Sequence, residues 1–321
     1  MGLTVGVPIV STDEGELLRH TLPALLSQPG VEVVVIDNAC DDLTREVADE
    51  LGVRCIRLDE RLSYCRAMNV AVHSVGGDAV LFLQPDCFLS PGFLAAATRR
   101  LGEPGVGSVA PKLLRTTGPL PEQRLDAIDT AGMVVDRRRK NGLVGHGRPS
   151  LCFDRSAEAF GPDGAVALYS REALEDTTVY GELFDEDLIR WASDADLAWR
   201  ARVLGWRCVY EPAAVAHHIR MYSPSTRGQM PETDRRMQFR NRYLMIAKND
   251  PLPTLGRDLP RILAYEVLAL GFAILRERHL LRGYAEVLRL LPRMLRKRAV
   301  LQRRRRTRGA PPVPYGLVPP A

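Results

Sequence analysis

The feature that most constrains this chain is the way its first 85 residues alternate between two hydrophobic periods. Leu3–Val10 is a short apolar run, and Glu14–Gln28 follows with Leu17, Leu18, Leu22, Leu25 and Leu26 at helical spacing. Val31–Ile36 is β-branched; Asp42–Leu51 reads as helix, Val53–Leu58 as strand, Ser63–Val75 as helix and Ala79–Leu83 as strand. Apolar residues three and four apart mark one helix face, whereas short unbroken apolar runs mark strands buried on both sides. The β-α-β-α-β-α-β order predicts an α/β fold with a mainly parallel sheet and right-handed crossovers. Pro8 stands inside the first run, an awkward place for a central strand because proline donates no ladder bond.

In such sheets, ligands lie beyond the carboxyl ends of the strands. Asp37 ends the second strand and Asp86 follows the fourth, in Gln84-Pro85-Asp86, so both stand at that edge. Either could equally be a turn former, as aspartate often is after a strand. Several phosphate-binding and nucleophilic devices are excluded. Pro8 to Glu14 holds no glycine, so no Gly-x-Gly-x-x-Gly follows the first strand, and neither Gly-x-x-x-x-Gly-Lys-Ser/Thr nor Gly-x-Ser-x-Gly occurs. Acidic residues cannot hold a diphosphate directly, but they can do so through a divalent cation.

A length of 321 residues, with 45% hydrophobic and 26% charged residues, fits a soluble protein of one large or two modest domains. Cys40, Cys55, Cys65, Cys87, Cys152 and Cys208 form no Cys-x-x-Cys pair, as expected of scattered thiols in a reducing compartment. The opening Met-Gly-Leu-Thr-Val-Gly lacks the basic and apolar regions of a secretory signal, so a cytoplasmic location is expected. The net charge of +5 is unevenly placed: residues 255–321 hold fifteen Lys/Arg against four Asp/Glu. The expected division is a domain over 1–250, a helical Arg-rich extension over 251–309 and a disordered Pro-rich tail over 310–321. Ile262–Leu275 is too short and too interrupted to span a bilayer. Residues 282–308 interleave leucines with arginines, which suits a basic helix on anionic inner-leaflet lipids, peripheral on the cytoplasmic face of the membrane. Nucleic acid is not expected as a partner, because the arginine run has no interleaved aromatics.

Further along, Ser193-Asp194-Ala195-Asp196 sets two carboxylates two positions apart before an apolar helical pattern. Ser193 as N-cap with Asp196 at N3 approaches a capping box. The competing reading makes one of the two a catalytic base. Gly205–Tyr210 is strand-like and leads through Pro212 to His217-His218, either of which could complete a site with Asp86.

Together these pieces resemble an inverting family 2 glycosyltransferase of the GT-A fold, a Rossmann-like, mainly parallel sheet flanked by helices, here with a C-terminal helical basic extension. The matching residues are Val33-Val34-Val35-Ile36-Asp37-Asn38, Arg66-Ala67-Met68-Asn69, Leu81–Asp86, Phe184-Asp185-Glu186, Asp194–Arg200, Gly205-Trp206-Arg207, Pro212–His218 and Arg240-Asn241-Arg242. They span roughly residues 3–250 in order, nearest to the rhamnosyl- and galactofuranosyltransferases that build bacterial cell-surface glycans. The resemblance implies that Asp37 recognises the nucleotide base and that Arg66 and Asn69 lie along the nucleotide. It implies that Asp86 and His218 hold Mg²⁺ or Mn²⁺ and that Asp194 is the general base. The implied reaction moves a sugar from a nucleotide-diphosphate donor to a glycan or polyprenyl-linked hydroxyl. dTDP-rhamnose is the first donor suggested, and UDP-linked sugars come next. Departures are Gln84, where the family usually has Asn; Ser193, where an acid often precedes the base; and Val10-Ser11-Thr12-Asp13 in place of Thr-Tyr-Asn. The alternatives are a catalytically degenerate, transferase-like glycan-binding or scaffold protein, and a nucleotidyltransferase.

Overall fold

The computed structural model describes residues 2–223 and 225–321. Strands β1 (Val5–Ser11), β2 (Val31–Asp37), β3 (Arg54–Arg57) and β4 (Ala79–Leu83) alternate with helices α1 (Gly15–Leu26), α2 (Thr44–Glu50) and α3 (Tyr64–His73). The strands form a parallel block in the order β4-β1-β2-β3, as the periodicity predicts. Every residue of β1 and β4 is buried, which is why neither run alternates with polar residues. Pro8 costs the sheet little. Val5 donates toward β2, to Gly30, so the two-residue alternation turns the Pro8 nitrogen toward β4. Pairing between β1 and β4 runs only through Val5 and Gly6 and stops where Pro8 offers β4 no donor, while the β1–β2 ladder runs on to Ser11.

The chain continues through β5 (Cys87–Leu89), α4 (Phe93–Leu101), β6 (Val106–Thr116) and β7 (Arg124–Thr130). Next come a small hairpin of β8 (Met133–Val135) and β9 (Asn141–Leu143), then β10 (Ala157–Ala159), β11 (Val166–Ser170), α5 (Arg171–Thr177), α6 (Ser193–Val203) and β12 (Arg207–His218). The sheet order is β10-β12-β6-β11-β4-β1-β2-β3, with β11 antiparallel to both its neighbours. Residues 103–150 read in sequence as loops and short strands, yet β6 is an 11-residue strand near the middle of the sheet. Gly107 and Pro111 hide it by interrupting the apolar run. Glycine at 107 answers a packing need: a Cβ there would lie 2.9 Å from both Ala173 and Trp206.

Three helices close the fold: α7 (Glu232–Asn249), α8 (Leu252–Leu275) and α9 (Leu281–Arg308). Residues 281–308 are not a detached extension. Met294 and Leu301 are fully buried, and Lys297 reaches Glu182, Asp185 and Asp187. Arg304 donates to the carbonyls of Asp176 and Thr178, and Arg305 to that of Val203. The disorder expected over residues 310–321 is also corrected. Val313 is buried, and Tyr315 packs between Phe160 and Trp199, under an Arg139 guanidinium 3.6 Å from its ring centre. Proline-rich composition cannot foresee this, because one aromatic entering a preformed slot outweighs the chain-wide bias. Among the described residues, no helix is long and apolar enough to cross a membrane.

Candidate active site

Antiparallel pairing of β12 with β5 sets His218 opposite Cys87 and so beside Asp86. His218 Nε2 lies 3.5 Å from Asp86 Oδ2, while Nδ1 lies 2.8 Å from Asp129 Oδ2. Burial disfavours the imidazolium, but the Asp129 hydrogen bond and the Asp86 carboxylate outweigh it and raise His218 to about 9. Strand alternation turns His217 to the other face, where its Nδ1 has no partner and burial lowers it to about 4. Cys87 Sγ belongs to the same cluster, but burial pushes the thiol well up and keeps it neutral. A carboxylate beside an imidazole whose far nitrogen is tied to a second carboxylate suits a divalent cation that takes the place of the Nε2 proton and draws its other ligands from phosphate.

The two carboxylates of α6 meet opposite surroundings. Asp196 is fully buried and paired with Arg200 and Lys248 at 2.9 Å each, so it is part of the core. Asp194 faces a pocket lined by Tyr64, Phe82, Pro162, Tyr169 and Phe184. It accepts hydrogen bonds from Gly164 N (3.0 Å) and Ala195 N (2.8 Å). Burial and the nearby Asp163 carboxylate nevertheless raise it to about 6. The capping box does not form: Ser193 donates to the Arg190 carbonyl, and the residue ahead of the helix is Ala192 in the left-handed region, at φ 61°. Ile189, a β-branched residue, takes φ 67° in the same loop, a strained conformation of the kind that gathers at functional sites. The loop is held from α7, where Asn241 donates to the Leu188 and Trp191 carbonyls and Arg240 to that of Asp187. That accounts for Arg240 and Asn241, while Arg242 instead donates to the Arg138 and Arg139 carbonyls and to Glu266.

Polar contacts run from His218 to the Asp194 side. Asp129 binds His218 and both arms of Arg220, and Arg220 Nη2 lies 3.0 Å from Asp163 Oδ2, next to Gly164. Asp129, Asp163 and Arg220 escaped the sequence reading. Arg220, two residues beyond His218 on the same strand exit, was the one with a usable signal. Glu14, at the start of α1, was missed as well; burial and Asp86 raise it to about 7.

The other expected ligands are scattered along the same edge. Asp37 is buried at the end of β2, its carboxylate taken by Cys40 N and by Arg57 at 2.9 Å. Arg66 is exposed on α3, 3.6 Å from Glu186. Asn69 holds the Phe184 backbone with both ends of its amide, at 2.9 and 2.8 Å. Such a two-point clasp fixes the loop behind Arg66 and leaves the amide no free end for a ligand.

A mixed sheet flanked by helices, with an acid–imidazole pair and a raised carboxylate at its ligand edge, has the architecture of the GT-A fold. Residues 7–177 match the model of glycosyl transferase family 2, and the chain belongs to that family. It is 33% identical over 153 residues to an uncharacterised protein of Mycobacterium tuberculosis, an alignment covering 46% of each chain. The alignments take in less than half the length of the curated relatives the chain matches. Among solved structures, it resembles the mannosyltransferase PcManGT of Pyrobaculum calidifontis in complex with GDP-Man and Mn²⁺ (TM-score 0.54, 18% identity, 96% of this chain and 87% of that one). It also resembles S. aureus TarS 1–349 in complex with UDP-GlcNAc (TM-score 0.60, 16% identity, 95% and 90%).

Proposed function

We propose that the protein transfers a sugar from a nucleoside-diphosphate donor to an acceptor hydroxyl with inversion at the anomeric carbon. The observation that carries this reading is the chain of contacts from His218 through Asp129 and Arg220 to Asp163. It runs from a pair suited to a cation to Asp163, whose neighbour Gly164 donates to Asp194, the carboxylate suited to a base; these are the two charges an inverting transfer requires. Asp86 and His218 would hold Mg²⁺ or Mn²⁺, which offsets the charge developing on the departing diphosphate. Asp194 takes the acceptor proton as the oxygen attacks the face opposite the leaving group. Asp163 and burial keep Asp194 basic despite its two amide donors. Arg66, exposed at the same edge, would meet the nucleotide, while Asp37 would reach the base only if Arg57 yields it. GDP-Man and UDP-GlcNAc in the similar structures support a nucleotide sugar in general. dTDP-rhamnose is the first donor to try, and the acceptor proposed is a cell-surface glycan or polyprenyl-linked sugar at the cytoplasmic membrane face.

Thermal shift against a panel of nucleotide diphosphates and nucleotide sugars, with and without Mn²⁺, tests the donor half on wild type and Asp86→Ala. A metal-dependent rise with one nucleotide, lost in the variant, is expected. No rise with any nucleotide would overturn the proposal.

A further inference from the structure

α8 presents a broad apolar face that no other part of the described chain covers. Leu252, Leu259, Leu263, Val267, Leu270 and Ile274 are all exposed, and at 100° per residue they fall within an arc of roughly 80°. Leu268, Phe272 and Leu275 are also exposed but lie roughly 80–140° further round the helix from the edge of that arc; Val267, Leu268 and Leu275 are each more than 70% exposed. Six large apolar side chains exposed along one helix stripe, with three more round the same helix, go well beyond the scattered leucines of an ordinary surface. The helix carries only two acids, and both turn inward. Asp258 is buried against Arg137 and Arg139, and Glu266 against Arg242 and Tyr243. The exposed charges on and beside the helix are all basic, Arg257 and Arg261 in its first half and Arg276, Arg278 and Arg282 just past its end.

From this we infer that α8 lies in the headgroup region of an anionic bilayer, its leucines in the acyl boundary and its end arginines on lipid phosphates. The inference rests on the proposed membrane-face location and moves the contact away from the arginine run of α9. Lys297, Arg304, Arg305 and Arg308 of that run are taken up by the body. Charge favours lipid over a second copy of the chain: an antiparallel pair of α8 helices would bring the Arg257–Arg261 end of one against the Arg276–Arg282 end of the other.

The test is co-sedimentation of the full chain with phosphatidylglycerol-containing vesicles and with vesicles of phosphatidylcholine alone. Wild type should pellet with the anionic vesicles, less so at high salt. The triple variant L263S/V267S/L268S should lose partitioning by more than about tenfold. Its thermal midpoint and nucleotide-induced shift should stay those of wild type, because the three side chains already face solvent. R289Q/R296Q/R303Q on α9 should lose less. Wild-type binding by the α8 variant, or failure of wild type to pellet with anionic vesicles, overturns the inference. So does a dimer that the α8 variant splits while neither protein binds vesicles. A chain that binds vesicles but no nucleotide would support the lipid contact and overturn the donor chemistry instead.

Discussion

Asp194 carries the proposed proton transfer, and its raised position, about 6, fixes when it can act. A general base works ionised, so turnover should rise as pH climbs through about 6 and level off above it. Asp194→Asn should lower kcat by roughly 10²- to 10⁴-fold while calorimetry finds donor affinity unchanged. Asp163→Asn removes the like charge beside the base, so the rising limb of kcat against pH should move to lower pH; a limb that stays put would discharge Asp163 from that role. Stability responds in the opposite sense to activity. A carboxylate held above its unfolded value of 3.8 binds its proton more tightly in the folded state. Its stabilising contribution is therefore present in acid and lost as pH rises from about 4 to 6. Urea denaturation should find Asp194→Asn more stable than wild type at pH 8, the gap closing toward pH 4.

At the scale of elements, the C-terminal helices bind the site from behind through buried charges. Lys297 on α9 and Lys248 on α7 converge on Asp185, and Lys248 also holds Asp196 on α6. Lys297→Ala leaves Asp185 short of a partner in the interior. It should destabilise the fold by about 3–5 kcal/mol in urea, whereas an exposed arginine of the same helix, such as Arg289, should cost almost nothing. The legibility of the chain divides along similar lines. The parallel block was readable because β1, β2, β4 and α1–α3 each satisfy their burial locally, through unbroken apolar runs or a single helix face. β6 was not, since its glycine and proline answer to Trp206 and to β12, residues far away in sequence. At the site, Asp86, His218 and Asp194 stood out because strand exits and a helix start are visible as patterns. Asp129 and Asp163 did not, because an acid in a loop shows its worth only once Arg220 is seen between them. Asn69 is ambiguous, since a buried amide clasping a backbone looks in sequence like one awaiting a ligand.

Taken whole, the molecule is fastened by residues that lie far apart along the chain. The Tyr315 hydroxyl accepts from Trp199 Nε1 and donates to Asp250, while its ring packs against Phe160. Removing residues 310–321 should therefore lower the thermal midpoint by at least about 4 °C and reduce kcat more than it changes KM, because the helix behind Asp194 loses its backing. An unchanged midpoint would show the contact to be incidental. The same fastening has a consequence in time. Tyr315 emerges from the ribosome 116 residues after Trp199, which at 5–20 residues per second is a wait on the order of ten seconds. Throughout that interval the parallel block β1–β4 can assemble while the helix bearing the proposed base stays unsupported. On the proposed reaction, a nascent chain would pass through a stage in which the donor edge precedes a working base.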